Sequence, residues 1–154
     1  MVADRKCGAL EVAQAYNVPV KLINFNKEIL STLEQLGNFD LIALCGFKRI
    51  LPYQFLKDVK VPILNSHPSL LPAYGGRGMV GVKVQEAAIE NNEIFAGCTV
   101  HFVDTGIDTG NHLIQAKIKI RKNETAWQLG GRIHEVEKVV FWSAITMVLE
   151  GLVD

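Results

Sequence analysis

Apolar positions recur along this chain in two rhythms, one helical and one of extended strands. Ala9, Leu10, Val12, Ala13 and Tyr16 repeat at helical spacing and predict a helix that closes at Asn17, with Pro19 just beyond. Val18–Ile23 follows as a short strand. Ile29, Leu30, Leu33 and Leu36 predict an amphipathic helix ending at Gly37. Leu41–Cys45 is an unbroken apolar run that reads as a strand buried on both faces. Residues 52–58 form a short helix opened by Pro52, and Val61–Leu64 is a second buried strand. Met79–Ile89 has helical spacing. Gly97–Val103 and Gly110–Ile120 read as strands, the second alternating through Ile114, Ala116, Ile118 and Ile120. Thr125 and Gln128 fit a capping box. It opens a long helix through Leu129, Ile133, Val136, Val140 and Met147. The order α-β-α-β-α-β-α-β-β-α predicts an α/β fold: an open, mostly parallel twisted sheet with helices on both faces and a late antiparallel strand pair. No repeat or linker interrupts residues 1–154, which read as a single domain.

Composition narrows the function classes. Hydrophobic residues are 49% of the 154, enough for a packed core. Sixteen basic residues balance sixteen acidic ones, so no global field draws the chain to nucleic acid or to an anionic membrane. A local anion site survives that test. Cys7, Cys45 and Cys98 are an odd, scattered set, which reads as free thiols in a reducing compartment, the cytoplasm. No run approaches the roughly 18 apolar residues of a membrane span.

Two strand ends are polar in a way that packing does not require. In Asn65-Ser66-His67-Pro68-Ser69-Leu70-Leu71-Pro72, the residues two apart face one side of a strand, so Asn65 and His67 project together. The prolines stiffen the segment behind them. Asp104-Thr105-Gly106-Ile107-Asp108-Thr109-Gly110 is a glycine-punctuated loop with two carboxylates. Taken singly, each feature is more often a turn former or a backbone-bonded loop residue. Together they suit acyl or formyl transfer. An amide N–H stabilises a tetrahedral oxyanion, a histidine donates a hydrogen bond or a proton, and a carboxylate favours the imidazolium. No metal is expected: His67, His101, His112 and His134 lack ligand spacing, and the cysteines are scattered.

The stretch from Asn65 to Pro72 resembles the folate-dependent formyltransferase family. Cys45–Leu51, Tyr74–Gly81, Gly97–Val103, Ile107–Gly110 and Arg132–Glu137 agree with it in order and spacing, so the resemblance spans essentially the whole chain. It implies a formyltransferase-like sheet. It also implies formyl transfer from 10-formyltetrahydrofolate, as co-substrate, to the amine of glycinamide ribonucleotide in purine synthesis. Residue by residue, Asn65, His67 and Asp108 match the family's catalytic trio. Phe47, Lys48, Arg49, Ile50 and Leu51, with Asp104, Thr105, Gly106 and Ile107, match the walls of its folate pocket. Partners beyond small molecules are not implied, although a homo-oligomer is compatible.

The family opens with a strand and a phosphate-binding loop at a helix start, an anion site of the helix N-terminus type. This chain shows no counterpart, so it is expected to be incomplete at its N-terminus relative to the family. Two alternatives follow. One is a folate-binding but inactive fragment. The other is a related enzyme of 10-formyltetrahydrofolate whose acceptor is a sugar amine, methionyl-tRNA or water.

Overall fold

The computed structural model describes residues 1–23, 29, 31, 32, 35 and 38–153. They fall into two compact units, Met1–Asn38 with Leu51–Val59, and Phe39–Ile50 with Lys60–Asp154. The first unit holds strand β1 (Val2–Ala3), helix α1 (Gly8–Ala15), strand β2 (Lys21–Leu22) and helix α2 (Tyr53–Asp58), with β1 and β2 paired in parallel. Strand β1 falls where the sequence pattern predicts only the approach to a helix. Helix α1 stops for a local reason. Asn17 adopts φ +56°, its N–H bonds the Gln14 carbonyl, and the Val18 N–H bonds Ala13. This is the Schellman pattern, and asparagine is among the few non-glycine residues that tolerate it. Helix α2 begins one residue after Pro52, as its missing N–H allows, and buries Phe55. Of the helix expected over residues 29–36, the described positions 29, 31, 32 and 35 are helical, and the rest lies outside the described residues.

The second unit is built on a four-stranded sheet of β3 (Ile42–Leu44), β4 (Ile63–His67), β5 (Phe95–Phe102) and β6 (His112–Lys119), in that spatial order. Strands β3 and β4 are parallel; β5 is antiparallel to both its neighbours. Helices α3 (Lys83–Glu90) and α4 (Ala126–Leu149) complete the unit. Three expectations need correction here. Strand β4 runs on to His67 rather than stopping at Leu64. Helix α3 starts at Lys83 and not at Met79, because Gly78 and Gly81 sit at φ +87° and +60°, outside the helical region. Among the described residues strand β3 lies at the edge of its sheet, and with Ala43 exposed it is not buried on both faces. Helix α4 begins as its sequence predicts. The Gln128 N–H donates to the Thr125 hydroxyl, and the Thr125 N–H donates to the Gln128 side chain at 2.9 Å.

Strand alternation divides this sheet into two chemically different faces. Leu64 on β4 and Ala96, Cys98 and Val100 on β5 form one face, which α4 covers with Leu129, Ile133 and Ala144. The opposite face carries Asn65 and His67 from β4, with Thr99 and His101 directly across from them on β5. Burial of the apolar face therefore commits the polar set to the other side, since a slip of one residue would exchange them.

Gly97 lies on the polar face, where a Cβ would meet the Ala116 carbonyl oxygen at 1.9 Å and Leu70 at 2.8 Å. The Gly97→Ala variant is expected to lose about 1–3 kcal/mol or more of stability through overpacking against backbone. Urea denaturation of the variant beside the parent chain checks this, and an unchanged midpoint would contradict the close approach.

Candidate active site

Asn65 and His67 are brought together by the last turn of the pleat in β4, and β5 supplies His101 opposite Asn65. Asp108 arrives from the β5–β6 loop. It takes up φ +56°, a left-handed conformation that aspartate tolerates better than most residues, and its carboxylate reaches back over the polar face. Oδ2 lies 3.4 Å from His67 Nδ1 and Oδ1 lies 3.8 Å from His101 Nε2. Asn65 Nδ2 stands 3.3 Å from His101 Nε2. The three residues expected to work together are thus in one cluster, with His101 as a fourth member.

Backbone groups of the segment after β4 set the orientation of two of these side chains. His67 Nε2 donates to the Tyr74 carbonyl at 2.8 Å, which turns Nδ1 toward Asp108. The Gly76 N–H donates to Asp108 Oδ2 at 2.9 Å. Gly76 sits at φ +91°, so a side chain there would strain the backbone that presents this N–H. Tyr74, itself at φ +55°, is tied at its far end by a hydroxyl bond to Glu93 at 2.8 Å. Both nitrogens of His67 face oxygens that only accept, the Tyr74 carbonyl and the Asp108 carboxylate.

His101 is in the contrary situation. Its Nδ1 donates to the Phe102 carbonyl at 2.8 Å, leaving Nε2 as the acceptor for the Asn65 amide. Burial holds its imidazole below the ordinary histidine value, and nearby His67 and His112 act in the same direction. The Phe102 carbonyl and Asp108 oppose them. A neutral ring with Nδ1 protonated fixes the Asn65 carboxamide by one of its two N–H bonds and leaves the other for a ligand. Without metal-ligand spacing, His101 does not stand out from the other histidines along the chain. Its usable signal was the Thr99-x-His101 repeat, the same two-residue spacing as Asn65-x-His67.

The remaining expected site residues occupy two loops. Phe47 is half-buried while Lys48, Arg49 and Ile50 are exposed in the segment after β3, and Leu51 is buried in the first unit. Asp104 closes its own turn, accepting from the Gly106 N–H at 2.9 Å and from the Thr109 hydroxyl at 2.7 Å. Thr105 and Gly106 are exposed at the loop's tip and Ile107 is half-buried. The carboxylate of Asp104 is therefore committed to loop geometry, and Asp108 is the one that reaches the cluster. Burial pushes the Cys98 thiol up to about 11, so it is no thiolate nucleophile at neutral pH. Among the described residues no group of three or more histidine, cysteine, aspartate or glutamate side chains is arranged to hold a metal, and no helix is long and apolar enough to cross a membrane.

Comparison with known proteins places the chain among formyl transferases. Residues 5–145 match the family model described as formyl transferase. The chain is 33% identical over 151 residues to a chloroplastic phosphoribosylglycinamide formyltransferase of Arabidopsis thaliana, covering 90% of this chain and 51% of that protein. It is 41% identical over 164 residues to the trifunctional purine biosynthetic protein adenosine-3 of Chironomus tentans, covering 99% of this chain and 12% of the relative. The chain thus spans about half the length of the plant relative and a small part of the trifunctional one. The crystal structure of phosphoribosylglycinamide formyltransferase from Anaplasma phagocytophilum superposes with a TM-score of 0.87 at 30% identity, over 97% of this chain and 73% of that one.

The neutral state of His101 has a consequence for stability. Its native pKa lies below the unfolded value of about 6.5. As pH falls through that value the unfolded chain binds a proton that the native chain does not, so stability falls; above it the loss vanishes. In His101→Gln, whose side-chain oxygen can still accept from Asn65, this part of the acid loss is expected to disappear. The change in slope cannot exceed about 1.4 kcal/mol per pH unit, the limit for one proton. Urea unfolding of both proteins at about pH 7.5 and about pH 5.5 checks it; identical slopes would count against a neutral His101.

Proposed function

This chain belongs to the formyl transferase family, and from that premise we propose that it moves a formyl group from 10-formyltetrahydrofolate to the primary amine of glycinamide ribonucleotide. The observation that carries the reading is the cluster itself: an amide, two histidines of opposite hydrogen-bonding character and a carboxylate gathered on the polar face of one strand pair. The names of its relatives favour this acceptor over a sugar or water. The exposed thiols Cys7 and Cys45 and the buried Cys98 suit a reducing compartment, and we place the reaction in the cytoplasm.

In this mechanism the amine nitrogen attacks the formyl carbon. A C–N bond forms while the carbonyl electron pair moves to oxygen. The free N–H of Asn65 donates to that oxyanion, with the carboxamide already oriented by His101 and needing no rearrangement as charge develops. His67, held by the Tyr74 carbonyl, turns its other nitrogen to Asp108, and the two together handle the proton of the attacking amine. Asp108 accepts the proton that the attacking nitrogen must lose, or passes it through water. Collapse of the oxyanion breaks the bond to the folate nitrogen, which takes up a proton as it leaves. Residues 47–50 and 104–107 would line the folate side, with Asp104 stiffening its loop.

The assay is formyl transfer by the purified chain with glycinamide ribonucleotide beside a sugar amine, methionyl-tRNA and buffer alone. Turnover with the ribonucleotide and not the others supports the reading; preference for another acceptor replaces it. Asn65→Ala and His67→Ala are each expected to lower kcat by about 10²–10³. Their thermal midpoints should stay close to the parent's. Undiminished turnover in either variant would remove that residue from the mechanism.

A further inference from the structure

Thr99 stands across the β4–β5 pair from His67 and is fully buried, yet it has no part in the chemistry above. A threonine hydroxyl can donate one hydrogen bond and accept two. Here all three are used. Oγ1 donates to the Ser69 carbonyl at 2.7 Å, and accepts from the Leu71 N–H at 3.0 Å and from Gln115 Nε2 at 2.9 Å. Gln115 Nε2 gives its other hydrogen to the Leu71 carbonyl at 2.8 Å. The constraint then passes along the segment. The Ser69 hydroxyl donates to the Ala73 carbonyl at 2.6 Å, and the next residue supplies the carbonyl that holds His67. Two residues further, Gly76 supplies the N–H that holds Asp108.

We propose that Thr99, assisted by Gln115, is a positioning residue for the His67–Asp108 pair. It fixes the segment from Ser69 to Gly76, and that segment orients both side chains through its backbone. The inference rests on the reading of His67 and Asp108 as reacting groups. A valine would fill the same volume but leave the Ser69 carbonyl and the Leu71 N–H without their partner in a buried place, and free one N–H of Gln115. The segment would have to shift to recover those bonds, and the Tyr74 carbonyl and Gly76 N–H would shift with it. Small displacements matter at this point because the His67–Asp108 contact is already 3.4 Å.

The test uses the whole chain with Thr99→Val, which deletes the hydroxyl, and Thr99→Ser, which keeps it. Two measurements are made: steady-state kinetics, and the imidazole N–H resonance of His67 by NMR. Thr99→Val is expected to lower kcat by up to about 10²-fold with little change in KM, the scale of a displacement near 1 Å. The His67 Nε2–H resonance should shift or be lost by exchange. Thr99→Ser should restore both. A folded Thr99→Val with parental kcat and an unmoved His67 resonance would overturn the proposal. If Thr99→Val does not fold, Gln115→Met removes two of the same bonds from a more exposed strand. Gln115→Met should show a smaller loss in both measurements, and parental values in both would equally overturn it. The NMR arm needs no turnover. A parent chain that transfers no formyl group but whose His67 signal depends on Thr99 would defeat the proposed function and leave this inference standing.

Discussion

The register between β4 and β5 is the constraint on which the rest of the site depends. Leu64 opposite Phe102 and Ser66 opposite Val100 lie on the face that α4 covers, and the apolar burial there holds the pairing in place. Asn65 opposite His101 and His67 opposite Thr99 are fixed on the other face by the same pairing. A stable sheet thereby aligns four polar side chains to within the precision of a β-ladder. Precision of this kind is more readily supplied by strands than by loops.

Loops nevertheless complete the cluster, and the structure shows how they are made rigid. Asp108 and Gly76 both occupy left-handed backbone conformations, and each is tied to the other by the Gly76 N–H on the Asp108 carboxylate. Gly75 packs close between them: a Cβ there would meet Leu71 at 2.6 Å and Asp108 at 3.4 Å. Strained positions persist only where their surroundings over-determine them. Here the surroundings are side chains from β5 and β6 that bond the segment's carbonyls and leave it little freedom before any ligand arrives.

Two histidines a few ångströms from one carboxylate are kept in different roles by what their other nitrogens meet. His67 meets acceptors on both sides; His101 meets a carbonyl on one side and an amide donor on the other. The difference follows from the direction each ring points off its strand, not from residue type. It separates the histidine that lies between two acceptors from the one that steers the amide, within a single buried cluster.

Much of this was legible along the chain. The Asn65-x-His67 spacing, the two carboxylates at Asp104 and Asp108, the capping box at Thr125 and the strand alternation from Ile114 to Ile120 are local patterns, and local patterns follow from backbone geometry that neighbouring residues set. The sequence alone therefore determined the element order after the first strand, the pairing of Asn65 with His67 on one face, and the kinship with formyl transferases. Tertiary structure alone decided how Asp108 reaches the histidines, that Ala43 on β3 is exposed, and that His101 and Thr99 belong beside the site. Those outcomes depend on which strand lies next to which and in what register. Such contacts join residues about 30 to 40 positions apart, as with Asn65 and His101 or His67 and Asp108. No periodicity in the sequence encodes them, because they are set by the apolar face on the other side of the sheet.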